Sequence, residues 1–180
     1  VVQGSLSVTF TVTTPTIELS PDSGTAGSSV TVTGADYSLL DTTGCTITNP
    51  LGIIATQTCS ISDGTATGSF TLTTPIEPGT YTITVTGNAV GDAATAQFLV
   101  IPGINLLPSS GLPGTSVLVF GSGFDSGDTG CSISSSPSGL ISSQVCTVAG
   151  GSATGSFVVA SAAAGAYTVE VTGTTGDAAS

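Results

Sequence analysis

Four cysteines carry the clearest chemistry in this 180-residue sequence. Cys45 and Cys59 lie in the first half of the chain, and Cys131 and Cys146 lie at similar places in the second half. Four thiols allow three pairings, and the matching placement favours one disulfide within each half. A bridge over a loop of roughly 15 residues stabilises the fold by about 3 kcal/mol and is typical of an oxidising, extracellular environment. Free thiols or a zinc site of four thiolates are the alternatives, although no Cys-x-x-Cys pair favours zinc.

The charged residues exclude several classes of function. The chain has eleven acidic residues and no lysine, arginine or histidine, so its net charge is −11. Nucleic-acid binding is not expected, because proteins neutralise phosphate backbones with basic side chains. Lysine nucleophiles, histidine bases and histidine metal ligands are not available for catalysis. We therefore expect no cofactor.

The carboxylates are the remaining candidates for a catalytic or metal site. A glycosidase needs two converging acids in a cleft. The three glutamates all lie in strand or turn contexts: Glu18, Glu77 and Glu170. Each half also has two aspartates in equivalent loops, namely Asp36 with Asp41, and Asp125 with Asp128. Dedicated calcium sites gather more carboxylates than this, and aspartate beside glycine is typical of turns. We expect no enzyme activity and no dedicated metal site, and calcium binding by these loops is left open.

The elements that position these residues arise from an internal duplication. Residues 15–24 match residues 102–111, residues 66–70 return unchanged as 153–157, and residues 79–87 match 165–173. The offset of 87 residues drifts to 85 only at loops. The sequence therefore predicts three parts: an N-terminal donor strand (1–14), a first domain (15–101) and a second domain (102–180).

Both copies have the sequence pattern of an all-β domain. Residues 29–33 and 81–85 alternate with a period of two, with apolar side chains on one face and threonine on the other. Clusters of Gly, Pro, Asp and Ser separate these short strands, and no window shows helical periodicity over ten residues. Such spacing is typical of a β-sandwich or β-barrel.

The opening of each copy resembles a known domain family. Residues 21–34 (PDSGTAGSSVTVTG) and 108–117 (PSSGLPGTSV) resemble the start of IPT/TIG-type immunoglobulin-like domains. In that family a Pro-x-x-Gly turn leads to Gly-Thr-x-Val and then to Gly-x-x-Phe, which residues 121–124 match. The resemblance implies two tandem immunoglobulin-like β-sandwiches of an extracellular or surface protein, without catalytic residues. The cysteine pair is not part of the usual family pattern.

The second copy lacks a segment that the first copy has. Residues 91–94 (GDAA) lead into the apolar strand 95–101, whereas residues 176–179, also GDAA, are followed only by Ser180. A sandwich without this strand exposes an apolar groove and unpaired backbone groups. The sequence therefore predicts that the second domain lacks its final strand.

An unassigned strand lies near the other end of the chain. Residues 6–12 alternate with a period of two and precede Pro15 much as residues 95–101 precede Pro102. We expect this strand to complete the second domain of another copy, so that copies join head to tail in a filament. Its inward-facing set is Leu6, Val8, Phe10 and Val12. There are three alternatives: the chain is a fragment of a longer immunoglobulin-like array, cut before its last strand; the N-terminal strand is a disordered leader; or it folds back onto its own second domain.

The expected function is that of a structural subunit of an extracellular filament or pilus, whose partners are other copies of itself. Since residue 1 is valine, we expect a leader to have been removed on secretion. An immunoglobulin-like binding module from a larger adhesin or surface-layer protein is the alternative. No apolar run reaches the length of a membrane span. The many serine and threonine hydroxyls offer sites for O-linked glycans, and acid should be tolerated because no ion pair is broken by protonation.

Overall fold

Residues 7–89 and 91–180 are described in a computed structural model, and their regular secondary structure consists of β-strands. The strands group into two β-sandwiches, which are called here the first and the second sandwich. Leu6 of the expected donor strand lies outside the described residues.

The first sandwich contains eight strands. They are β1 (Thr16–Ser20), β2 (Ser23–Gly24), β3 (Ser29–Ala35), β4 (Cys45–Thr48), β5 (Ile54–Ser62), β6 (Thr65–Leu72), β7 (Gly79–Gly87) and β8 (Ala93–Val100). One sheet has the order β1-β3-β6-β5 and the other β2-β8-β7-β4. These are the A-B-E-D and C-F-G sheets of an immunoglobulin domain, with β2 added beside β8. The predicted all-β, immunoglobulin-like fold is therefore confirmed.

The core of the first sandwich follows from the alternation in its strands. In β3, Val30 and Val32 are buried while the residues between them are exposed. The opposite sheet contributes Ile83 and Val85 from β7 and Phe98 from β8. A period of two along each strand thus places one face of each sheet in the core and leaves the hydroxyl-rich face in solvent.

The second sandwich repeats this plan with shorter final elements. Its strands are β9 (Gly103–Leu107), β10 (Ser116–Ser122), β11 (Cys131–Ser136), β12 (Ile141–Ala149), β13 (Ser152–Val159), β14 (Thr168–Gly173) and β15 (Ala178–Ala179). The sheet orders are β12-β13-β10-β9 and β11-β14-β15. Whereas β8 pairs with β7 from Gly79 to Thr86, β15 pairs with β14 only at Val171 and Thr172. Ser180 corresponds to Thr95, and no described residue of the second sandwich corresponds to residues 96–100.

Each sandwich is closed along one side by a disulfide. Cys45 bonds to Cys59 and Cys131 bonds to Cys146, both with Cα atoms 5.2 Å apart. Each bridge joins the edge strands of opposite sheets, β4 to β5 and β11 to β12. The expected pairing within each half is thus shown, no cysteine is left for zinc, and the bonds are typical of an oxidising environment. Among the described residues, no helix has the length and apolar character needed to cross a membrane.

Candidate functional site

An open groove of about 300 Å³ lies in the second sandwich beside β14. One wall is the segment 108–111, which follows β9, and the other is the segment 165–167, which precedes β14. The floor consists of core side chains from both sheets: Leu106, Val117, Phe157, Val159 and Val169. The groove therefore exposes the part of the core that lies between the two sheets at this edge.

In the first sandwich, β8 fills the equivalent space. Phe98 and Val100 are 0% and 1% exposed. The Phe98 ring packs edge to face on Phe70 with the ring centroids 6.1 Å apart, and Phe157, the counterpart of Phe70, lines the groove. A Cβ added at Gly24 of β2 would lie 3.4 Å from the Phe98 ring, so the backbone of β2 closely approaches β8. The groove thus has the form of a site for one β-strand with an inward aromatic side chain.

The backbone around the groove also matches a strand site. In the first sandwich, Leu99 N donates to Asp22 O at 2.9 Å and Ile101 N donates to Gly24 O at 3.0 Å. The corresponding carbonyls of Ser109 and Gly111 accept no backbone hydrogen bond from the described residues. An exposed strand edge of this kind is a template for pairing with another strand.

The described part of the expected donor strand does not reach this groove. Val8, Phe10 and Val12 are 96%, 88% and 80% exposed, and residues 7–15 form no strand. These residues therefore do not fold back onto the second sandwich of their own chain. Their role as a donor strand stays a prediction.

A pair of aspartates in each sandwich was missed by the sequence reasoning, which placed one member of each pair in an ordinary turn. Asp41 and Asp128 are buried, with 1% and 4% of their surfaces exposed. They lie beside Asp92 and Asp177, the aspartates of the two GDAA motifs. The repetition of these motifs at equivalent positions was the only sequence signal. The pairing depends on which loops the fold brings together.

The hydrogen bonds of these pairs tie two loops together in each sandwich. Asp92 accepts a hydrogen bond from Ser38 N, and Asp177 accepts one from Asp125 N, both at 2.8 Å. Asp128 Oδ1 accepts hydrogen bonds from the Thr174 hydroxyl at 2.9 Å and from the backbone N of the next residue at 2.6 Å. A side chain at the position of Gly173 would clash with both Asp128 and Asp177, so glycine is required there.

One aspartate of each pair has a raised pKa, and in the second sandwich its partner has a lowered one. Burial raises the pKa of Asp92, and the hydrogen bond with Asp41 and the negative charge of Asp41 raise it further. Burial and the adjacent Asp128 raise the pKa of Asp177 in the same way. Burial alone would also raise the pKa of Asp128, but its hydrogen bonds to residues 174 and 175 outweigh this effect and lower it. The geometry supports a carboxyl–carboxylate contact, and among the described residues no group of three or more such side chains could hold a metal ion.

Comparisons with known proteins give structural likenesses. No protein family and no curated protein matches the chain. It is similar in structure to SGBP-B of the Bacteroides ovatus mixed-linkage glucan utilization locus, with 16% identity and a TM-score of 0.34 over 88% of this chain and 38% of that one. It is also similar to InvD of Yersinia pseudotuberculosis, with 16% identity and a TM-score of 0.36 over 93% of this chain and 55% of that one.

A third likeness is to a protein of nearly the same extent. Murine CEACAM1b matches with 20% identity and a TM-score of 0.32, over 88% of this chain and 92% of that one. By contrast, the chain spans less than two thirds of the two bacterial proteins. Because none of these three scores reaches 0.5, the immunoglobulin-like assignment rests on the order of the strands in the sheets.

Proposed function

We propose that the chain is a non-enzymatic structural subunit that polymerises head to tail by donor-strand complementation. Residues 1–14 of one copy would enter the groove of the second sandwich of another copy. One observation carries the proposal: β8 fills the equivalent site in the first sandwich, whereas in the second the floor and the edge of the site are open. The proposal includes an extracellular location, the IPT/TIG relationship and O-linked glycans.

The spacing of side chains in the N-terminal segment supports a specific register. When Phe10 is placed at the position of Phe98, Val12 takes the position of Val100 and Val8 takes that of Ala96. All three then lie on the inward face of the strand, because the exposure of β8 alternates with the same phase. A shift of one residue would turn all of these side chains to solvent.

This register also defines how far the donor strand can enter. Ala179 pairs with Val171 as Ala94 pairs with Val85, so β15 already occupies the first inward position of the missing strand. Leu6 falls at that same position, and its insertion would displace β15. The proposed contact therefore depends mainly on Val8, Phe10 and Val12.

The chain direction in this arrangement favours a filament. Two residues separate β8 from β9, and three separate Val12 from β1. A donor strand running antiparallel to β14 would thus lead into its own first sandwich much as β8 leads into the second. Repetition of one such heterologous contact, without closure, produces a linear polymer.

A binding module within a longer surface protein is the second candidate. In that case, residues of another segment of that protein would fill the groove. The outer face of the second sandwich supports a binding role, because it carries apolar side chains where the first sandwich has serine or threonine. These side chains are Leu107, Leu118, Phe120 and Val145, which are 45–67% exposed.

Electron microscopy of the full chain and of a variant without residues 1–12 tests the proposal. Filaments are expected only from the full chain. A peptide of residues 1–14 should raise the thermal midpoint of the shortened variant, because it completes the core and binds only the folded state. The matched control is the same peptide with Phe10 and Thr11 exchanged, which keeps the composition but turns the aromatic ring outward. Monomers from both proteins, with no effect of the peptide, would refute the proposal.

A further inference from the structure

The two sandwiches of one chain meet at a polar joint. Ser126 N, in the loop between β10 and β11, donates a hydrogen bond to Glu77 Oε2, in the loop between β6 and β7, at 2.8 Å. The methyl group of Thr25 packs so closely on Gly103 that a side chain there would clash. Thr25 and Glu77 of the first sandwich, with Ser126 of the second, thus mark where consecutive sandwiches touch.

The duplication identifies the residue that corresponds to Glu77 at the far end of the second sandwich. The hydroxyl of Tyr81 donates to Glu77 O at 2.9 Å, and the hydroxyl of Tyr167 donates to Ala163 O at 3.0 Å. Ala163 therefore takes the place of Glu77. By the same alignment, Leu112, which follows Gly111, takes the place of Thr25.

The first sandwich has a counterpart of Ser126 in the loop between β3 and β4, at its end away from the internal joint. Ser38 N binds Asp92 as Asp125 N binds Asp177, so Leu39 takes the place of Ser126. Leu40 correspondingly takes the place of Gly127.

These four positions at the outer ends of the chain are occupied by apolar residues, whereas the corresponding positions at the internal joint are occupied by polar residues or glycine. Leu112, Leu39 and Leu40 are 79%, 75% and 72% exposed. The loop around Ala163, residues 160–165 (ASAAAG), contains no charged residue. At all four positions a polar residue or glycine of the internal joint is replaced by an apolar residue. In a head-to-tail polymer, the two ends of the chain that carry these apolar residues would face each other.

We propose that the two outer ends bind each other as an apolar version of the internal joint. Leu39 and Leu40 of one copy pack on the loop around Ala163 and on Leu112 of the preceding copy. This inference rests on the head-to-tail polymer proposed above. The partner is a second copy, because the internal joint supplies the arrangement and each end provides apolar side chains at the matching positions. Ion pairs between side chains cannot join copies of a chain without basic residues, so apolar contact is the expected main source of affinity at this joint.

A pair of engineered cysteines in the full chain tests this contact. Leu39→Cys combined with Ala163→Cys should give a ladder of covalent oligomers on non-reducing gels after the filaments are oxidised. The native disulfides leave no other free thiol. The matched control is Leu51→Cys combined with Ala163→Cys, since Leu51 is 76% exposed on the same sandwich but lies in the loop between β4 and β5.

A second variant measures what the contact contributes to assembly. L39S/L40G introduces the residues of the internal joint and should raise the critical concentration for assembly at least about tenfold, because two leucine side chains lose their apolar contact. Leu51→Ser should leave the critical concentration unchanged.

The outcomes separate this inference from the proposed function. Absence of filaments from the wild-type chain overturns the polymer and the joint together. Filaments that need residues 1–12 uphold the polymer. If their critical concentration is unchanged in L39S/L40G, or if the control cysteine pair cross-links as well as the joint pair, the joint alone is overturned.

Discussion

Replacing Phe10 with alanine should weaken assembly while leaving the isolated chain as stable as before. Phe10 is 88% exposed in the single chain. Its loss should therefore change the free energy of unfolding of the monomer by less than about 0.5 kcal/mol, as is usual for exposed sites. In the proposed filament, however, the same ring lies on Phe157 at the floor of the groove.

The magnitude of this effect follows from Phe98, which occupies the equivalent site in the first sandwich. Phe98 is fully buried and packs edge to face on Phe70. Truncation of such a phenylalanine to alanine costs about 3–5 kcal/mol. If Phe10 is buried to the same degree, Phe10→Ala should weaken the binding of one copy to the next by about 140- to 4,000-fold.

Sedimentation of the chain over a concentration series gives the critical concentration for assembly, and thermal unfolding of the monomer gives its stability. Thr11→Ala is the matched control, because the proposed register turns Thr11 to solvent. Its critical concentration should stay within about threefold of the wild type, as expected for an exposed side chain. Equal critical concentrations for the wild type and Phe10→Ala would refute the placement of Phe10 in the groove. An equal rise for Thr11→Ala would refute the register.

Two further predictions concern the isolated fold. Because the pKa values of Asp92 and Asp177 are raised, the folded state holds their protons more tightly than the unfolded state, so stability should increase as the pH falls from neutral through those pKa values; the lowered pKa of Asp128 has the opposite effect only at lower pH. Denaturant unfolding at a series of pH values should show this increase, and it should be smaller in Asp92→Asn but preserved in the surface control Asp63→Asn. Replacing Cys45 and Cys59 together with alanine should lower the free energy of unfolding by about 3 kcal/mol at any pH in this range, and an unchanged denaturation midpoint would contradict the stabilising role of the bridge.

The fold could be predicted from the sequence because its determinants are local and occur twice. Alternation such as that of Val30 and Val32 in β3 defines a strand and its buried face without knowledge of its neighbours. The repeat then placed Cys45 and Cys59 in the same context as the second cysteine pair, which favoured the observed connectivity. The short pairing of β15 also follows from the sequence, because the first copy continues into an apolar strand after its GDAA motif and the described second copy does not.

The aspartate pairs and the joint could not be predicted because they depend on contacts between distant segments. Asp41 has the sequence context of a turn residue, and only the folding of the β3–β4 loop against the β7–β8 turn buries it near Asp92. Glu77 likewise has no local signal that it contacts Ser126 of the next sandwich. Such contacts are set by the packing of loops at the ends of the sandwich, where side-chain periodicity carries no information.

The absence of basic residues limits how copies of this chain could hold together. With eleven acidic residues and no basic side chain, net electrostatic forces between copies are repulsive at neutral pH. A donor strand overcomes this repulsion with backbone hydrogen bonds and buried apolar side chains, neither of which needs an opposite charge. The described residues of the proposed donor segment, 7–14, contain no carboxylate, and neither do the groove walls, residues 108–111 and 165–167. Since protonation of carboxylates lowers the net charge without removing any contact of this kind, assembly should strengthen as the pH falls.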